Sequence, residues 1–364
     1  MRYAVFLGGF GLLALPALVA WQRQAPALTN SAIVQAKPVV APGCASAQGL
    51  ARVVCLAEAF KATLSPSQLA EVQRPYSKAE AARWSNFPQQ FSRPQRVGIG
   101  LGTLNAAQLA AAKALLASVL LPAVPNEGYD ELEGNLAADN YLGTATNQTG
   151  TFGAGNYYLA LLGTPSLSGR WELQYGGHHF AFANTYQGGK TAGVTPDFRG
   201  AEPMTPVTDH GRTYQPLEQE RAAFAALLGS LSAAEQTKAR LTTSFNDVLL
   251  GPGQDGQFPL TRQGLPLGEL SAAQQQLALQ AIRRYVGDLD PATAAPILAR
   301  YTAELPATYL AFVGSGTMGK DNDYIRLDGP SLWLEYSGQP SRDFPGTVHP
   351  HSVWRDRRTD YGGQ

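Results

Sequence analysis

One pattern returns at a fixed distance and constrains this chain more than anything else in it. "LSPSQ" begins at 64, "LNAAQ" at 104, "LSAAE" at 231 and "LSAAQ" at 270. The spacing within the first pair matches that within the second to a single position, and so do the offsets from each motif to its counterpart. The flanks repeat as well: "AFKATL" and "AFAALL" precede the first motif of each pair, "GIGLGTL" and "GLPLGEL" the second. Further on, "YLALLG" at 158 is answered by "YLAFVG" at 309. Shared order and spacing together predict an internal duplication with a unit of roughly 160 residues.

Each short motif is a capping box. Its Ser or Asn accepts the N3 backbone N–H, and the Gln or Glu three residues later reaches back to the cap. Apolar residues at helical spacing follow, Leu109, Ala112, Leu115 and Leu116 in one half and Leu277, Leu279, Ile282 and Val286 in the other. After "YLALLG" comes "RWELQY", a "GG" turn and "HHFAFANTY". After "YLAFVG" comes "YIRL", a "DGPS" turn and "LWLEY". The alternation at Phe180 and Phe182, and at Leu332 and Leu334, is that of strands. Each half therefore reads as helices followed by a hairpin. The expected class is α+β, an antiparallel sheet with capping-box helices, in two related halves over 48–210 and 211–364.

The two halves differ where histidine is concerned. Of five histidines, four fall in two clusters, "GGHH" at 176–179 and "HPH" at 349–351. At the place of His178 and His179 the second half has Pro330 and Ser331. A pair needed only to build the hairpin would appear in both halves. In an extended segment His349 and His351 point to the same side, offering two imidazoles to one ion. In a regular strand His178 and His179 point to opposite faces, so one of them joins the same site unless the glycines make a bulge. The expected centre is a divalent transition metal (Zn, Cu or Fe) held by His349, His351 and one of His178 and His179, with a fourth position open. Glu335, Asp356 and Asp360 are candidates for the fourth ligand, for acid/base groups or for partners of an imidazole N–H, and Arg355 and Lys190 are candidate holders of an anionic group. Trp171, Trp333 and Trp354 read as core, and His210 as a solvated loop residue.

Residues 1–20 carry Arg2 and an apolar run from Ala4 to Ala20, the form of an export signal. Gly and Pro interrupt the run, which is short for a membrane span. Residues 21–47 read as a linker with little fixed structure. Export and only two cysteines, Cys44 and Cys55, predict one disulfide tying the end of the linker to the first helix. The expected location is periplasmic or secreted, with no membrane contact beyond the signal. Charge is balanced, 28 basic against 28 acidic residues, which argues against a nucleic-acid partner. "GSGTMGKD" at 314–321 has the glycine spacing of a phosphate loop, but Asp321 replaces the Ser or Thr and a strand pattern follows. It reads as a turn. There is neither a G-x-S-x-G elbow nor an H-E-x-x-H motif.

"YGGHHFAFA", "TPDFRGAEP" at 195–203, "YIRLDGPSLWLEY" and "HPHSVWRD…DYG" resemble a family catalogued as domain of unknown function 3500, over residues 48–362. By that resemblance the family's marker residues are Gly177, His178, His179, Pro196, Gly200, Pro203, Gly329, Pro330, Glu335, His349, His351, Trp354, Arg355 and Asp356. "SGQPSRDFPGTV", before the last cluster, departs from the shorter, Asn-rich run associated with the family. The resemblance implies the fold unit and the motif set, not a reaction. Together the readings favour an exported metal-dependent enzyme, a hydrolase or an oxidase, acting on an unknown small-molecule or polymer substrate. The alternative is a periplasmic or extracellular ligand-binding or scaffolding protein without catalysis.

Overall fold

The computed structural model describes residues 28–122 and 124–363. The signal expected over 1–20 lies outside the described residues. In the first half the helices are α1 (Asn30–Gln35), α2 (Gly49–Lys61), α3 (Pro66–Val72), α4 (Lys78–Ala81), α5 (Ala106–Ala117) and α6 (Gly128–Ala145). The strands there are β1 (Gln73–Arg74), β2 (Ile99–Gly100), β3 (Tyr158–Leu162), β4 (Arg170–Gly176), β5 (Phe180–Gln187), β6 (Lys190–Gly193) and β7 (Asp197–Gly200). A small ribbon, β8 (Val207–Asp209) and β9 (Arg212–Tyr214), precedes the second half. That half contains α7 (Glu218–Gly229), α8 (Ala233–Ala239), β10 (Leu265–Pro266), α9 (Ala272–Val286), α10 (Pro291–Glu304), β11 (Tyr309–Val313), β12 (Tyr324–Asp328), β13 (Leu332–Pro340) and β14 (Val348–Asp356). The class is mixed α+β, with a large and mostly antiparallel sheet.

All four capping boxes form, at Ser65, Asn105, Ser232 and Ser271, with both reciprocal hydrogen bonds present in each. The N3 glutamine of the second box also clasps the first. Gln108 Nε2 donates to the Thr63 carbonyl and to Gln68 Oε1, both at 2.9 Å. In the other half Gln274 Nε2 donates to the Ser230 carbonyl and to Glu235 Oε2, both at 3.0 Å. The backbone shows a matching pair: Gly98 (φ 98°) runs against the Leu159 carbonyl, and Gly264 (φ 102°) against that of Leu310. At both places a Cβ would overlap a backbone oxygen, and the positive φ favours glycine as well.

Strand order is β1-β3-β4-β5-β7-β14-β13-β12-β11-β10, with β2 beside β3 and β6 beside β5. One sheet therefore runs through both halves, and β7 meets β14 at its centre with His351 opposite Gly200. Helices cover one face. Leu159, Leu161 and Leu173 pack with α2 and α5, and Leu310, Ile325 and Leu334 with α7 and α9. The other face buries Ala160, Ala181, Phe198 and Val353 under Trp84 and Tyr361. The last histidine cluster, expected in an extended tail, is part of β14, a nine-residue strand inside the sheet.

Two local expectations are corrected. The segment expected to be an unstructured linker holds α1, and Ile33 and Val34 are buried in the first core. Its Ala-rich polar composition conceals two apolar residues that a single short helix suffices to bury. The Cys44–Cys55 disulfide does form and joins this segment to α2. The first hairpin turn is also displaced. β4 runs on through Gly176 and β5 begins at Phe180, so the loop residues are His178 and His179, closed by Gly177 N–H donating to the Phe180 carbonyl at 2.8 Å. The second hairpin closes in the same way: Gly329 N–H donates to the Leu332 carbonyl at 2.8 Å around Pro330 and Ser331.

Candidate metal centre

His179 occupies a backbone conformation that side-chain-bearing residues seldom adopt, φ 67°. Its surroundings hold it there. The His179 N–H donates to the Asn86 carbonyl at 3.1 Å, and its carbonyl accepts from Gly200 N–H at 2.6 Å. The buried Arg96 guanidinium donates to the Gly177 carbonyl at 2.7 Å and to the Ser85 carbonyl at 2.6 Å. The Tyr157 hydroxyl bridges the His178 carbonyl and the Asn135 side chain. The turn is thereby fixed from three sides, and a left-handed residue sends its side chain where a strand residue could not.

That side chain lies over β7. A Cβ on Gly200 would stand 2.9 Å from His179 Cδ2, so glycine leaves the room the ring occupies. Across β7, His351 and His349 project from β14 on one side of the strand, as their spacing predicts. The three rings meet, with centroids 4.6 Å apart for His179–His349, 4.6 Å for His349–His351 and 5.4 Å for His179–His351. One nitrogen from each falls within 4.8 Å of the others, a group that could hold a metal ion. Two clusters far apart in sequence thus meet in one group.

Carboxylates stand behind the imidazoles. Asp247 Oδ1 lies 2.9 Å from His351 Nδ1, with the Gln339 amide 2.7 Å from the same nitrogen. Glu202 Oε2 lies 3.5 Å from His349 Nδ1 and is held in turn by the Ser341 hydroxyl. A carboxylate on Nδ1 keeps the proton there and leaves the lone pair on Nε2, the arrangement metal-ligating histidines use. His351 Nε2 is buried and has no hydrogen-bond partner. An unpartnered buried ring nitrogen in a group of three imidazoles fits a metal ligand. Burial first, then the neighbouring imidazoles, holds His179 and His349 well below the ordinary histidine range. Both are therefore neutral at pH 7, as ligation requires.

His178 takes a different part. Its Nδ1 lies 2.7 Å from Asp139 Oδ1, and its ring sits on that of His179 with centroids 3.5 Å apart. It stands beside the group of three. Asp139 comes from α6, where Glu131, Asn135 and Asp139 recur every fourth residue and all are buried. Asn135 Nδ2 donates to the Gly200 carbonyl at 3.1 Å. One polar stripe of a buried helix therefore supports both the turn and β7.

The structure commits the expected acid/base residues elsewhere. The Glu335 carboxylate accepts from the N–H groups of Leu249 and Leu250, from Tyr324 Oη and from Trp333 Nε1. Arg355 is paired with Asp255 and Asp360, each at 2.7 Å, which also accounts for Asp360. Asp356 faces the helices and binds Arg300 and Tyr301. These residues are buried ties between strands and loops, away from the three histidines. Trp171, Trp333 and Trp354 are core, as expected.

Sequence reasoning missed Asp139, Glu202, Asp247, Gln339 and Arg96. For Asp139 a signal existed: Glu131, Asn135 and Asp139 recur at every fourth position of "ELEGNLAAD". The others stand in loops or strands with no local mark.

Fold and site together define a mixed α+β protein with a largely buried three-histidine group at the seam of one sheet. The chain belongs to the family described as protein of unknown function DUF3500, whose model matches residues 46–363. No curated protein and no solved structure matches it. Among the described residues, no helix is long and apolar enough to cross a membrane.

Proposed function

We propose that this is an exported metal-dependent enzyme of the hydrolytic kind, with His179, His349 and His351 as ligands of one transition-metal ion. The unpartnered, buried Nε2 of His351 carries this reading, because a buried polar atom without a partner costs about 1–3 kcal/mol unless something binds it. Three neutral imidazoles suit Zn, Cu, Fe or Ni. When bound, such an ion supplies Lewis acidity for activating water or polarising a carbonyl. The chain's own contribution is orientation and proton handling. Asp247 orients His351 through its Nδ1, and Glu202 stands near His349 Nδ1. The His178–Asp139 pair, which lies against His179, is the chain's own candidate for accepting a proton and passing it on. That pair favours proton-transfer chemistry over electron transfer, and hence hydrolysis over oxidation.

Elemental analysis of the purified chain tests the reading. Close to one transition-metal ion per chain is expected, lost in His351→Ala. A metal-free wild-type protein that takes up none of Zn, Cu, Fe or Ni would leave the non-catalytic binding protein as the better account. Stoichiometric copper or iron that cycles on reduction would move the chemistry to oxidation.

The same reading takes the two halves, 48–210 and 211–364, as descendants of one unit. The matched clasps at Gln108 and Gln274, the glycines at 98 and 264, and the matching hairpin closures support it. The imidazoles then belong to one copy of the turn because the site, not the hairpin, needs them. The Cys44–Cys55 disulfide supports export.

A further inference from the structure

A second polar cluster occupies the helical face of β7, the strand between the two histidine-bearing segments. Glu127 and Glu131 come from the start of α6 and Glu220 from α7, while Asp288 follows α9 and Asp197 lies in β7. All are buried, and Glu131, Asp197, Asp288 and, at longer range, Glu220 converge on one guanidinium, that of Arg199 in β7. Arg199 Nη1 reaches Glu131 at 2.5 Å and Asp288, and its Nε reaches Asp197 at 3.0 Å. A second cation, Arg284, binds Glu127 from the rim. Five carboxyl groups thus share two guanidinium groups, more than those two cations neutralise if all five are ionised.

Glu220 shows where the excess is concentrated. Its side chain is wholly buried, and neither carboxylate oxygen has a hydrogen-bond partner. Its nearest cation, Arg199 Nη1, stands off at 3.6 Å. One oxygen of Glu220 nevertheless falls within 4.8 Å of one from Glu127 and one from Asp288, all three mutually. Oxygens bound at about 2.3–2.6 Å to a common Ca2+ are separated by no more than about 4.6–5.2 Å. A carboxylate this deeply buried, unhydrogen-bonded and aimed at two others needs a counter-ion or a proton.

We infer that Glu127, Glu220 and Asp288 form a second site, for a hard divalent cation of the Ca2+ type, distinct in chemistry from the histidine centre. Its ligands are oxygens only, so it selects against the soft and borderline ions that imidazoles prefer. It draws on α6, α7 and the end of α9 together, so its role is structural: it fastens the helical layers of both halves to the seam between β7 and β14.

The test uses the purified chain. Calcium and transition metals are measured in the same sample, and thermal midpoints are compared after exhaustive chelation and after adding back CaCl2 or MgCl2. Expected are about one Ca2+ per chain and a midpoint raised by ~5 °C or more on adding Ca2+. Glu220→Gln should lose the Ca2+ and the shift, whereas His351→Ala should keep both. Glu127→Gln serves should Glu220→Gln fail to fold. If neither variant folds, the wild-type Ca2+ content and shift decide alone. Wild-type protein without Ca2+ and with no shift from either ion overturns the site and makes protons the neutralising agent. Because the two metals are counted separately, loss of the histidine-bound ion alone overturns the proposed function and leaves this site standing.

Discussion

His349 Nε2 lies 2.7 Å from His179 Nε2, although the two residues stand in different halves of the chain. Two imidazole nitrogens at that distance must share either a proton or a cation. Both rings are neutral, and the third ring adds an unpartnered Nε2 of its own. A shared proton satisfies two of the three nitrogens; a shared ion satisfies all three.

The carboxylates behind the rings set how well they bind. Asp247→Asn and Glu202→Gln should each weaken transition-metal affinity by roughly 10–100-fold while leaving the fold intact. Competition against a chromophoric chelator measures this. Unchanged affinity in both variants would show that the carboxylates do not hold the tautomers.

Gly200 is the contact on which the meeting of the two clusters depends. Gly200→Ala places a Cβ 2.9 Å from His179 Cδ2 and should push the ring off β14. The expected cost is about 1–3 kcal/mol of stability, as for other overpacked sites, with a larger relative loss of metal affinity. Denaturant melts and metal titration separate the two, and a variant that binds metal like wild type refutes the assignment.

Glu172, wholly buried on β4, has a carboxyl pushed up to about 7, first by burial. The Thr185 hydroxyl and the Gln174 amide pull against that shift without cancelling it. Since its folded pKa is raised, its contribution is complete below the unfolded value of 4.5 and is lost as pH rises through about 7. Wild-type stability should fall between these values relative to Glu172→Gln by on the order of 3 kcal/mol. Parallel melts at pH 4.5 and 8 read the difference, and identical pH dependence in the two proteins counts against it.

The disulfide closes a short loop between Cys44 and Cys55. Unfolded, unreduced protein should show no free thiol in a colorimetric titration. Cys55→Ser should cost about 2–3 kcal/mol, loosening α1 together with the segment it anchors.

Much of the local structure is legible in the chain. Capping boxes are short-range devices, so four sequence motifs become four helix starts. Strand alternation locates both hairpins, and the two-residue period places His349 and His351 on one side of β14. The first turn falls beyond the glycines that predict it, because glycines are the usual turn formers. Here Gly177 is required instead by close packing, as a Cβ there would stand 2.4 Å from the Tyr157 ring. Glu335, Arg355 and Asp356 read as chemistry in the sequence because charged residues within a motif look functional. Burial with complete pairing is the other reason for a charge to sit inside a protein, and sequence does not separate the two.

The sequence by itself determined the class, the helix starts, the disulfide and the identity of the histidines, since each depends on neighbours within a few residues or on composition. Tertiary structure alone decided that β7 lies between β5 and β14, that His179 turns inward while His178 turns to Asp139, and that Glu202, Asp247 and Gln339 stand behind the rings. Those outcomes depend on which faces bury one another across the whole sheet. That is a sum over many weak, non-directional contacts far apart in the chain, and it leaves no mark at the positions where its result is felt.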